Sequence, residues 1–188
     1  MDLAFDEALR LLNVAGLSDE MLSFVEMEPL PAGDGIAELV RVPDPGVEHV
    51  GGDSSGGAWL RLSDGAIILA SSEGEAARVG PDLRTVLAVG VQLGGLYDAL
   101  VFVRGSDWQG DRAAWVAARK GWGLPPGPAD PDAAREIAAL LSLPALRDPF
   151  ATLHGAVRAM PDGFVFDPMN GPWPGFAKPL EGCPRPRA

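Results

Sequence analysis

The sequence predicts an α+β domain, with a central, mainly antiparallel sheet and helices packed around it. Two observations carry that expectation. The middle of the chain has short apolar runs of strand period that fold back at Asp64-Gly65, and it is flanked by segments of helical period, two of which open with an Asp-Pro pair. A length of 188 residues suits one core.

Taken in order, Phe5, Ala8, Leu9 and Leu12 form one stripe of an amphipathic helix that Gly16 should end. Ser18 is placed to cap a second helix, with Asp19 and Glu20 in its first turn and Pro29 and Pro31 beyond its end. The density of Pro, Gly and Asp up to Gly46 reads as loop, broken by Ile36 to Val42 as an edge strand. Ala58, Leu60 and Leu62 alternate with Trp59 and Arg61, the period of a half-buried strand. Asp64-Gly65 then predicts a type I′ hairpin turn, and Ala66 to Ala70 supplies a returning strand that is apolar on both faces and therefore central. Ala76 to Val79 follows as a further strand.

Gly80-Pro81-Asp82 reads as a helix start with proline at the first helical position and an acid in the first turn. Leu83, Val86, Leu87 and Gly90 form its inner stripe, and Gly94-Gly95 stop it. Leu96 to Val103 is short and apolar, so its periodicity fits helix and strand alike. Asp111 to Lys120 is predicted as a helix with Ala114, Trp115 and Ala118 inward. Asp130-Pro131 and Asp148-Pro149 predict two more helices, with inward stripes Ala134, Ile137, Ala138, Leu141 and Phe150, Leu153, His154, Val157. Phe164 to Phe166 reads as a last strand in a Pro- and Gly-rich tail from residue 161 onward. The chain thus divides into N-terminal helices (1–47), a central sheet and helix (48–103), C-terminal helices (104–160) and the tail (161–188).

Composition narrows the function classes. Asp and Glu number 26 against 15 Lys and Arg, a formal charge of −11 that repels nucleic-acid phosphates and anionic headgroups and favours a basic protein partner. Cys183 is the one cysteine, so no disulfide can form within the chain, and Met1 to Glu7 lacks the basic flank of a secretory signal; a cytoplasmic protein is expected. The longest apolar run, Ala66 to Ala70, falls far short of the roughly 20 residues that span a bilayer.

Chemistry-bearing motifs are sparse. Gly51 to Gly57 contains Asp53-Ser54-Ser55-Gly56 and is similar to the nucleophile loop of chymotrypsin-like proteases. That chemistry needs a histidine and an aspartate from distant walls, and His49 lies too near Ser54 along the chain. A Gly-rich lead-in to a strand is the simpler reading. No Gly cluster is followed by the lysine of a phosphate loop, and the two histidines and one cysteine are too scattered to ligate zinc, so neither cofactor nor metal is expected. Asp53, Glu73 and Glu75 lack the ordered spacing of a calcium loop. His154, four residues after Phe150, reads as a packed histidine. Among the five tryptophans Trp115 reads as core, whereas Trp108 and Trp122 sit beside glycines and are the candidates for exposed contact.

From Gly51 to Phe102 the chain resembles the SUKH superfamily, in particular bacterial members similar to the fungal Smi/Knr cell-wall regulators. The likeness lies in Gly52-Asp53-Ser54-Ser55-Gly56-Gly57 leading into Trp59-Leu60-Arg61-Leu62, then Ile67-Ile68-Leu69, the turn Ser72-Glu73-Gly74-Glu75, and a helix from Pro81 to Tyr97-Asp98. Residues 1–47 depart from the family's Pro-containing helix and its Asn-Gly-like turn. The resemblance implies a non-catalytic domain that binds partner proteins, and in bacteria an immunity protein that neutralises a toxin, often a basic nuclease, by contact. Asp53, Glu73 and Glu75, with Trp108 or Trp122 as aromatic anchor, are then the expected partner-binding residues. The alternatives are a regulatory interaction module with a housekeeping partner and a serine hydrolase using Ser54 or Ser55.

Overall fold

The computed structural model describes residues 3–28, 40–41, 46–52, 57–70, 76–104, 106–160 and 165–166. The elements are α1 (Phe5–Ala15), α2 (Ser18–Val25), β1 (Val40–Arg41), β2 (Glu48–Gly52), β3 (Ala58–Arg61), β4 (Ile67–Ala70), β5 (Ala76–Gly80), α3 (Leu83–Leu93), α4 (Leu96–Leu100), α5 (Trp108–Gly121), α6 (Pro131–Leu140), α7 (Pro149–Arg158) and β6 (Val165–Phe166). Strands β2-β3-β4-β5 form an antiparallel meander with helices packed around it, the α+β arrangement that the sequence predicts. β1 does not join this sheet. It pairs with β6, Val40 opposite Phe166, so the two short outlying strands meet each other.

The sheet is covered on both faces. Trp59, Ile67, Leu69, Ala77 and Val79 face the helices, while Ala58, Leu60, Leu62, Ile68 and Ala70 form a second buried layer on which Val47 and Met160 pack. β4 is central, as expected, but β3 is not half-buried: alternation marked two different buried layers, not a wet and a dry side. The hairpin also differs from its expected form. Gly65 N–H donates to the Leu62 carbonyl at 2.9 Å and Leu62 N–H to Ala66 at 2.9 Å, which makes a three-residue loop. Gly65 alone is left-handed, at φ 87°, whereas a type I′ turn needs both central residues there. Asp64 accepts from Ala66 N–H at 2.9 Å and so stabilises the loop with its side chain.

The helices follow from capping and apolar periodicity. Gly16 ends α1 in the left-handed conformation at φ 73°, with Phe5, Ala8 and Leu12 buried. Ser18 is the first residue of α2 and makes no capping bond; Leu17 occupies the cap position. At α3 the cap is Asp82, which accepts from Thr85 N–H at 2.8 Å, so Pro81 lies outside the helix. α3 is buried on nearly every side because α2, α6, α7 and β5 all pack on it. At Gly90 a Cβ would come within 2.9 Å of the Phe24 carbonyl oxygen, so only glycine allows α2 to approach this closely. Gly94 and Gly95, at φ 72° and 153°, break the helix, and the ambiguous apolar stretch after them is the short helix α4. Gly94-Gly95 thus stop α3 as expected, and the one helix that the family resemblance carried from Pro81 to Asp98 is two.

Asp130 accepts from Asp132 and Ala133 N–H at 3.0 Å, and Asp148 from Ala151 N–H at 3.0 Å, as both Asp-Pro pairs predict. All four expected inward residues of α7 are buried; in α6, Ala138 is only half-buried. The α6–α7 connection is tied to α3 by Gln92, which donates to the Pro144 carbonyl at 2.9 Å and accepts from Leu146 N–H at 3.1 Å. No described helix is long and apolar enough to cross a membrane.

Candidate interaction surface

α5 begins at Trp108, three residues before the expected start, because Asp107 caps it through Gly110 N–H at 3.1 Å. Its inward residues are Trp115 and Arg119. Ala114, expected inward, is exposed: one residue from Trp115 is a rotation of about 100° around the helix, enough to leave the buried face.

Arg119 is only 2% exposed, a burial its residue type argues against. Its guanidinium donates to three backbone carbonyls, Nε to Pro125 at 2.9 Å, Nη1 to Gly94 at 2.9 Å and Nη2 to Gly127 at 2.5 Å. It also lies 5.2 Å from the centroid of Trp115. Burial lowers its pKa, and Asp98 partly opposes that shift. The side chain therefore fastens the α3–α4 break and the Pro-rich loop after α5 to one helix face. Sequence reasoning missed it, since hydropathy assigns arginine to solvent.

Over this clamp three rings pack together, Trp122 edge to face on the other two. Phe102 and Trp115 are 5.6 Å apart, Phe102 and Trp122 6.3 Å, and Trp115 and Trp122 6.0 Å at 76°. Trp122 is nevertheless 52% exposed, and Val101 beside Phe102 is equally so at 52%. The result is an apolar ledge whose projecting ring is held by two others.

Trp108 lies at the opposite end of α5, about 20 Å from Trp122 by helix rise. It is half-buried and stands in the helix, not in the loop expected for it. With Ala113, Val116, Ala117 and Pro126 it lines a groove of about 640 Å3. The charged residues lining that groove are Arg112 and Lys120. The two expected anchors thus stand at the two ends of one helix, Trp108 as its first residue and Trp122 as its C-cap, and belong to separate surfaces. Asp53, Glu73 and Glu75, like Ser54 and Ser55, lie outside the described residues.

The two histidines have different surroundings. His154 is 6% exposed, with Nε2 3.7 Å from Asp111, whose Oδ2 accepts from Arg104 N–H at 2.9 Å. That is a packed position, as expected. His49, on β2, shares a pocket of about 250 Å3 with Asp6, Glu48 and Arg61. Its Nε2 is buried without a hydrogen-bond partner among the described residues. Burial holds its pKa below the usual value, partly opposed by a backbone hydrogen bond with Gly51. A lowered folded-state pKa favours the neutral ring, so the stability tied to His49 is present above about pH 6.5 and lost as pH falls from there through the folded value. Urea midpoints measured from pH 7.5 to 5 should therefore fall less in His49→Gln than in the wild type; parallel curves would show that His49 does not contribute. Among the described residues no group of three or more His, Cys, Asp and Glu is placed to hold a metal ion.

Compared with known proteins, the chain matches no family model, no curated protein and no solved structure.

Proposed function

We propose that this protein is a non-catalytic, cytoplasmic protein-binding domain of the immunity type, which neutralises a basic, nuclease-like toxin by covering it. The observation that carries the reading is Trp122, 52% exposed while packed against Trp115 and Phe102. A large ring held rigid before binding loses little conformational entropy on contact, and tryptophan is among the residues most often found at binding hot spots. The formal charge of −11 supports a basic partner, because it raises the association rate through long-range attraction. The resemblance of residues 51–102 to the SUKH superfamily supports the immunity role. On this reading Asp53, Glu73 and Glu75 supply the carboxylates of the contact.

The test is affinity selection from the native cell with the wild type and Trp122→Ala in parallel, followed by titration of the recovered protein. A basic partner whose toxic activity the wild type abolishes is expected, and Trp122→Ala should bind it about thirtyfold more weakly, the cost of about 2 kcal/mol typical of a hot spot. Charge reversal at Glu73 and Glu75 should slow association further and make it less sensitive to salt. A partner held equally well by Trp122→Ala would remove the ledge from the proposal.

A further inference from the structure

We infer that the groove along α5 is a second docking site, one for an acidic, apolar peptide segment of another protein, separate from the Trp122 ledge. Its uncharged lining is Trp108, Gln109, Ala113, Val116, Ala117 and Pro126. Val116, Ala113 and Ala117 are all solvent-exposed, so the helix presents small apolar residues to water where a solvated face would carry polar ones. A groove of about 640 Å3 is large enough for several side chains.

Charge selects the occupant. The chain is strongly acidic, yet the charged groups lining this groove are both cations, Arg112 and Lys120. Lys120 is exposed and makes no ion pair among the described residues. Arg112 pairs with Asp148 through the guanidinium Nε at 3.6 Å, and the side chain is still 54% exposed. Eight residues separate the two cations, a rise of about 12 Å along the helix. An extended peptide covers that distance in about four residues, so two carboxylates four positions apart would meet both cations with apolar side chains between them in the groove. A second copy of the chain fits less well, since it would bring Arg112 and Lys120 against their own like charges. Nucleic acid fits less well too, because two cations on so acidic a chain neutralise too few phosphates.

The experiment is selection of a phage-displayed library of random 12-residue peptides on the full chain, followed by fluorescence polarisation of the enriched peptides synthesised with a label. Enriched sequences should carry paired Asp or Glu flanking Leu, Phe or Trp, and their affinity should fall with added salt. Lys120→Glu should weaken them at least tenfold, and Ala117→Arg, which fills the groove from an exposed helical position, should do the same while circular dichroism and the thermal midpoint stay unchanged. Trp122→Ala should leave them unaffected, which separates this site from the ledge. Enrichment of basic or uncharged peptides, no enrichment, full binding by Ala117→Arg, or a dimer in sedimentation that Ala117→Arg dissociates would each overturn the inference.

Discussion

Replacing Arg119 with alanine should lower the unfolding free energy by about 3–5 kcal/mol, because it removes three hydrogen bonds from a charged donor, each of which contributes about 1.5–3 kcal/mol before the structure relaxes. The carbonyls of Gly94, Pro125 and Gly127 would lose their donor together, and those that water reaches would recover part of the loss. The indole of Trp115 would also lose its cation. Arg119→Lys should recover less than half of the loss, because a single ammonium on a flexible stem cannot reach three carbonyls that a planar fork reaches at once. Urea unfolding followed by tryptophan fluorescence measures both variants. A loss under about 1 kcal/mol for the alanine variant would mean that the three carbonyls find other donors, which removes the clamp as the cause of the local geometry. The same clamp holds the turn that carries Trp122, so the alanine variant should also weaken any contact made through the ledge.

Trp59→Ala should be comparably severe, with a loss of about 3–5 kcal/mol from the cavity opened in the centre of the sheet. Trp59 is fully buried and lies opposite Leu69 in β4, on the helix-facing layer with Ile67, Ala77 and Val79. Trp59→Phe separates size from polarity. The indole N–H is buried with no hydrogen-bond partner among the described residues, so phenylalanine removes an unmet donor as well as some volume. The two effects oppose each other, and the phenylalanine variant should cost less than about 1.5 kcal/mol. Equal losses for alanine and phenylalanine would show that the N–H is satisfied in solution and that the ring is held by it.

Much of the fold was legible in the sequence wherever a few neighbouring residues decide the outcome. Asp130 and Asp148 cap their helices because a carboxylate, its own backbone and the next three N–H groups are all within one turn. The α7 stripe was legible for a similar reason, since helical period alone puts Phe150, Leu153, His154 and Val157 on one side. Errors arose where two local solutions have nearly equal energy. Asp82 and Pro81 are both reasonable helix openers, and the side-chain bond to Thr85 selects Asp82 as cap. Asp64-Gly65 suits two turn types, and the three-residue loop prevails with one left-handed residue in place of two.

The candidate surface was legible only in part. Trp108 and Trp122 were identifiable as tryptophans outside the obvious core, but their joining by one helix and their separation onto two surfaces depend on where α5 begins and how its ends pack. The exposed apolar strip Ala113, Val116 and Ala117 lies outside the inward stripe read from the sequence, but only the loop that brings Pro126 beside it makes a groove of it.

By itself the sequence determined the α+β class, the run β3-β4-β5 with β4 central, and the Asp caps of α6 and α7, all of which rest on interactions within a turn of helix or across one hairpin. Only the tertiary structure decided that Arg119 is a buried clamp, that β3 as well as β4 is buried on both faces, that β1 meets β6, and that α5 carries a cationic groove on an acidic chain. The physical reason is distance along the chain: Arg119 reaches Gly94 across 25 residues, and a contact of that span depends on how every intervening element packs.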